Sequence, residues 1–86
     1  MDELIQRRRE QRRRFMAELY RRTDAGVAEF VSAGELADEL ELDSAELRRF
    51  LEYFHEKGWI WVDDFREGVV RITVSGIDAV ESQSIG

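Results

Sequence analysis

The chain reads as an α+β domain, with helices first and a small antiparallel sheet behind them, and three features point to this. Residues 32–60, SAGELADELELDSAELRRFLEYFHEKGWI, hold two short amphipathic helical patterns joined by a tight turn. Two apolar runs, Trp59–Val62 and Val69–Val74, are separated by the turn-forming DDFREG. A length of 86 residues suits one domain with one small core.

Residues 2–22 are predicted to form one helix. Asp2 and Glu3 suit its positive end, and Phe15, Met16, Leu19 and Tyr20 make a buried stripe on its second half. Residues 6–14, QRRREQRRR, contain no apolar side chain, so that part cannot pack into a core. It is expected to be a solvated arm, a phosphate-contacting segment or a segment that docks on an acidic protein surface. Thr23 to Gly26 punctuates the chain, and Glu29 to Val31 is expected as a short edge strand.

The first helix of the pair begins where Ser32 and Glu35 make a capping box, and Leu36, Ala37 and Leu40 share one face. Leu42 is placed to plug the turn. Asp43 and Glu46 repeat the box, with Ser44 a competing cap. Leu47, Phe50, Leu51 and Phe54 follow the i, i+3, i+4, i+7 spacing of a buried face. Gly58 suits a residue of positive φ after the helix, and Lys57 sits against the negative end.

Ile60 and Val62 share one strand face, as do Val70, Ile72 and Val74 on the partner, and together these faces would close the core. Gly68 can take φ > 0 in the turn. By the same alternation Trp59, Trp61, Arg71 and Thr73 point the other way. Trp59 also reads as a core residue, which makes Trp61 the better candidate for exposure. Gly76 to Ser82 is expected as a short helix with Ile77 and Val80 inward. The expected organisation is an arm over residues 1–14, a domain over 15–82 and a tail over 83–86.

The order of elements, and the passages FVSAGELADELELDSAELRRFLEYFHEKGWI and RITVSGIDAVES in particular, resemble the winged-helix (winged helix-turn-helix) domain family. The resemblance spans roughly residues 15–82 and is carried by pattern rather than by single residues. It implies a three-helix core with a small antiparallel β wing and a short C-terminal helix. It also implies that residues 44–57 occupy the recognition-helix position, that residues 59–74 form the wing, and that the domain is a DNA-binding, transcription-regulator-like module.

Composition narrows the chemistry. With one histidine and no cysteine, a disulfide framework and a thiolate metal site are excluded, and a metal centre lacks converging ligands. Asp63 and Asp64 are adjacent and fall on opposite strand faces, which makes a poor acid–base pair. His55 lies at the edge of the apolar stripe and is expected to be half-buried packing. There is no glycine-rich phosphate loop. A non-catalytic protein without a cofactor is therefore expected. No apolar run approaches membrane-spanning length and no signal-peptide pattern is visible, so a cytoplasmic location is expected.

The net charge of −6 is divided, with a balance of +4 over residues 1–22 and −10 over residues 23–86. One segment attracts phosphate and the rest repels it. If duplex DNA is the partner, the contacts expected are Arg48, Arg49 and Tyr53 on the second helix, Arg66 at the turn, and Arg12 and Arg13 on the arm. Glu46, Glu52 and Glu56 on the same helix, and Asp63, Asp64 and Glu67 at the turn, depart from the basic helix and wing usual among the family's DNA-binding members. The alternative is protein–protein contact or homodimerisation through Trp61, Arg71, Arg8 and Arg9, since aromatic and arginine side chains are common interface anchors.

Overall fold

The computed structural model describes residues 1–85. Over them run α1 (Asp2–Thr23), β1 (Val31–Ser32), α2 (Ala33–Glu39), α3 (Ser44–Glu56), β2 (Ile60–Asp64), β3 (Val69–Ile72) and α4 (Val74–Glu81). The described residues thus form an α+β protein with four helices and one antiparallel sheet of strand order β1-β3-β2.

The helix boundaries follow local chemistry. Asp43 accepts the Glu46 N–H (2.8 Å) and Glu46 takes the Asp43 N–H in return (3.1 Å), a complete capping box that fixes where α3 starts. At α2 only half of the expected box forms. Ser32 accepts the Glu35 N–H (3.4 Å), but the Glu35 carboxylate lies 3.5 Å from Arg22 instead of returning to the cap. Arg22 also pairs with Glu39 and with Glu18, so it clasps the end of α1 to α2. Gly58 (φ 75°) ends the α3 passage and Gly68 (φ 71°) closes the hairpin, as their positions predict.

The core is where the apolar stripes converge. Phe15, Met16 and Leu19 of α1 meet Leu36 and Ala37 of α2, Phe50, Leu51 and Phe54 of α3, and Ile60, Val70 and Ile72 of the sheet. The Phe15 and Phe54 rings lie 5.3 Å apart, and Phe50 packs edge-on to Phe15 at 6.3 Å. Burying each such ring stabilises the fold by roughly 1.5–3 kcal/mol. Leu47 and Leu40 are only partly buried at the margin.

The sheet aligns Ile60 with Ile72, Trp61 with Arg71 and Val62 with Val70, and a bulge follows Val62. Val31 pairs with Val70 on the other side. Several expectations need correction here. The edge strand lies at Val31–Ser32, not Glu29–Val31. The last strand stops at Ile72: Thr73 caps α4 by accepting the Gly76 N–H (3.0 Å), and Val74 starts that helix 65% exposed instead of closing the core. Trp59 precedes β2 and packs half-buried against Phe54 and Tyr53. On α4, Gly76 and Ala79 are the buried residues, while Ile77 and Val80 are partly covered.

Gly76 marks a close approach that local pattern does not announce. A Cβ there would sit 2.1 Å from the Trp59 carbonyl oxygen and 2.9 Å from Ile72 Cγ1. The same carbonyl accepts the Thr73 N–H (3.0 Å), so α4 is laid directly across the α3–β2 junction. Ile85 returns to the core at 5% exposure, so part of the stretch read as a tail is packed; Gly86, its last residue, lies outside the described residues. No helix among the described residues is long and apolar enough to cross a membrane.

Candidate functional site

The arm and α3 form two walls of one groove. It encloses about 690 Å³, with Leu4, Arg7, Arg8, Gln11 and Arg12 on the α1 side and Glu46, Arg49, Glu52, Tyr53 and Glu56 on the α3 side. Phe50, largely buried, also lines it. The placement follows from helical periodicity. Leu4, Arg8, Gln11, Arg12 and Phe15 share one stripe of α1, and Phe15 is anchored in the core, so the residues N-terminal to it on that stripe are held beside α3.

Tyr53 ties the two walls together. The Arg12 guanidinium carbon lies 4.6 Å from its ring centroid, and the Lys57 ammonium lies 5.8 Å away. Edge-on contacts to Phe54 (5.8 Å) and Trp59 (6.1 Å) fix the ring, which remains 37% exposed. The buried Arg12 Nε has no hydrogen-bond partner, so the guanidinium is held by the ring face rather than by an acid.

The charges along α3 are unequally engaged. Glu46 serves the cap, and Glu52 accepts from Arg48 Nε at 3.1 Å. Arg48 turns toward the hairpin, with its guanidinium 6.0 Å from the Phe65 ring. There it shares a second depression, about 610 Å³, with Ser44, Phe65 and Arg66. The hairpin turn is set by Asp64, whose Oδ1 accepts the N–H groups of Arg66 (2.9 Å) and Glu67 (3.2 Å). His55 is exposed, not half-buried as expected, and its ring meets Phe65 edge-on at 5.8 Å.

The residues expected at one DNA surface therefore fall into three places. Arg12, Arg49 and Tyr53 line the α1–α3 groove, together with Arg8. Arg48 and Arg66 line the hairpin depression. Arg13 faces elsewhere: it pairs with Glu10 at 2.6 Å and borders a hollow with Ala17, Ala79 and Ile85. That pairing holds the Glu10 carboxyl below the usual glutamate range. Arg9 is exposed on the arm and does not line the groove.

Trp61 and Arg71 occupy the outer face of the sheet. The Arg71 guanidinium sits between two aromatic rings, 5.9 Å from Trp61 and 5.3 Å from Phe30, and its Nε lies 3.5 Å from Asp63. Phe30 is 61% exposed and Trp61 55%. Sequence reasoning missed Phe30. Its signal was alternation from Val31, which pairs with Val70 and so places the residue before it beside Arg71 on the outer face.

Among the described residues no group of three or more potential metal ligands converges. Neither a protein-family model, nor a curated protein, nor a solved structure matches this chain.

Proposed function

We propose that the chain is a non-catalytic winged helix-turn-helix module that binds duplex DNA, with α2 and α3 as the helix pair, α3 as the groove-reading helix and the β2–β3 hairpin as the wing. The observation that carries this reading is the position of the arm. Arg7, Arg8 and Arg12 lie beside the outward face of α3, next to Arg49, so the densest cationic segment and the helix in the recognition position share one side of the molecule. Arg48 and Arg66 extend the cationic surface toward the hairpin. Backbone phosphates are met by the arm, and base edges by Arg49 and Arg48 near the middle of α3.

Glutamates set the limit on affinity. Glu46 is engaged by the helix cap and Glu52 by Arg48, which leaves Glu56 as the groove carboxylate most available to oppose phosphate. Binding is therefore expected to be weak and strongly dependent on salt.

Fluorescence anisotropy of a labelled random duplex, titrated at several salt concentrations, tests the reading. Four phosphates neutralised by Arg7, Arg8, Arg12 and Arg49 give a slope of log K against log salt of about −3.6. The triple variant Arg7→Gln, Arg8→Gln, Arg49→Gln flattens that slope. An absence of binding at the lowest salt sinks the DNA reading.

A further inference from the structure

We infer that the outer face of the sheet is a docking surface for the arginine arm of a second copy of this chain. The inference does not depend on DNA binding.

The surface has the chemistry of a guanidinium acceptor. Phe30 and Trp61 each hold Arg71 on one side and leave most of their remaining surface to solvent. One acid stands on this face: Asp63 follows Trp61 on the strand and lies beside Arg71, while Glu29 adjoins Phe30 in the chain. Arg71, the cation at the centre, already has Asp63 within 3.5 Å. Exposed aromatic faces on an acidic body attract arginine through cation–π contact aided by the overall charge.

The arm has the complementary chemistry. Residues 1–14 carry six arginines and three acids, whereas residues 15–86 carry seven basic and sixteen acidic side chains. Arg9, Arg13 and Arg14 lie outside the α1–α3 groove, and Met1, Leu4 and Ile5 are exposed at the tip.

Topology prevents the two surfaces from meeting within one chain. α1 packs through Phe15, Met16 and Leu19 on the side of the sheet that carries Val70 and Ile72, and the arm is an unbroken continuation of that helix. Trp61 and Phe30 lie on the opposite side, beyond the reach of their own arm. The cationic arm and the aromatic face can therefore pair only between copies, arm on one and sheet on the other, a contact of unlike surfaces.

Sedimentation velocity in the absence of DNA tests this. The wild-type chain is expected to associate at low salt, and raising the salt from about 0.05 to about 0.5 M should weaken association on the order of tenfold or more. Trp61→Ala and Phe30→Ser, both at exposed positions, and the arm variant Arg9→Gln, Arg13→Gln, Arg14→Gln should each sediment as monomers with an unchanged circular dichroism spectrum. Mixing Trp61→Ala, whose arm is intact, with the arm variant, whose sheet face is intact, should restore a complex that stops at two copies. A wild-type chain that stays monomeric at low salt overturns the inference, as does association that survives either class of variant or a mixture that fails to assemble.

Discussion

The Arg12 guanidinium rests on the face of the Tyr53 ring, 4.6 Å from its centroid, and this contact joins the arginine arm to α3. Below it Phe15 is fully buried; above it Leu4 and Ile5 are over two-fifths exposed. The arm is thus aligned with the outward face of α3 by one aromatic contact and by the stiffness of a continuous helix.

Replacing Arg12 by Gln should therefore loosen the arm without unfolding the domain. A half-buried cation–π contact is worth between about 0.5 and about 2 kcal/mol, so the melting temperature should fall by several degrees without loss of the fold. Amide hydrogen exchange over residues 2–11 should accelerate, while exchange in α3 stays slow. A large loss of melting temperature would show that the arm is part of the core.

Gly76→Ala should be among the most damaging small substitutions. The added methyl would meet the Trp59 carbonyl at 2.1 Å and Ile72 at 2.9 Å, and the first is backbone held in place by the Thr73 N–H. Overpacking of this kind costs typically about 1–3 kcal/mol, and the rigid partner puts the cost at the upper end. Chemical denaturation measures it directly, and a change below about 0.5 kcal/mol, the range of ordinary surface substitutions, would contradict the close approach.

Two hydrogen bonds give the protein opposite responses at the two ends of the pH scale. The bond from Arg21 holds the Glu18 carboxyl below its ordinary range, and Arg22 adds to it. A depressed carboxyl stabilises the fold above its unfolded pKa, and that contribution is lost as pH falls through the folded value. The Tyr20 hydroxyl donates to Glu81 at 2.7 Å, which raises the phenol above its ordinary range. A raised phenol stabilises the fold below its unfolded pKa and loses that contribution as pH rises through the folded value. Melting curves across pH should show both losses, and Tyr20→Phe should remove the alkaline one and leave the acid one intact.

If the chain binds duplex DNA as proposed, Glu56→Gln should tighten that binding. Removing one unpaired negative charge from the groove wall relieves repulsion worth about 1 kcal/mol at a partly screened surface, roughly a fivefold gain in affinity at low salt that fades at high salt. The anisotropy titration measures it, and an unchanged affinity would place the DNA away from the α1–α3 groove.

The elements themselves were legible in the chain because their causes are local. The Asp43–Glu46 box, the Leu47-Phe50-Leu51-Phe54 spacing and Gly58 are short-range features, and α3 begins and ends where they say, although Leu47 sits at the core margin. The same locality explains the errors. Val70, Ile72 and Val74 alternate alike in the sequence, and only Thr73, by capping α4 and bonding back to the α3–β2 junction, takes Val74 out of the strand. His55 and Ile85 exchanged their expected roles because exposure depends on which element passes nearby.

The sequence by itself determined that this protein has an arginine segment too polar to bury, an acidic remainder and apolar stripes spaced for helices and strands, because hydropathy period and charge are properties of adjacent residues. Only the tertiary structure decided that Arg8 and Arg12 stand beside Arg49, that Arg13 faces away, and that Phe30 joins Trp61 around Arg71. Those relations are between residues distant in the chain, and they exist because the buried Phe15–Phe54 contact sets the direction of α1 and strand pairing sets which side chains share a face.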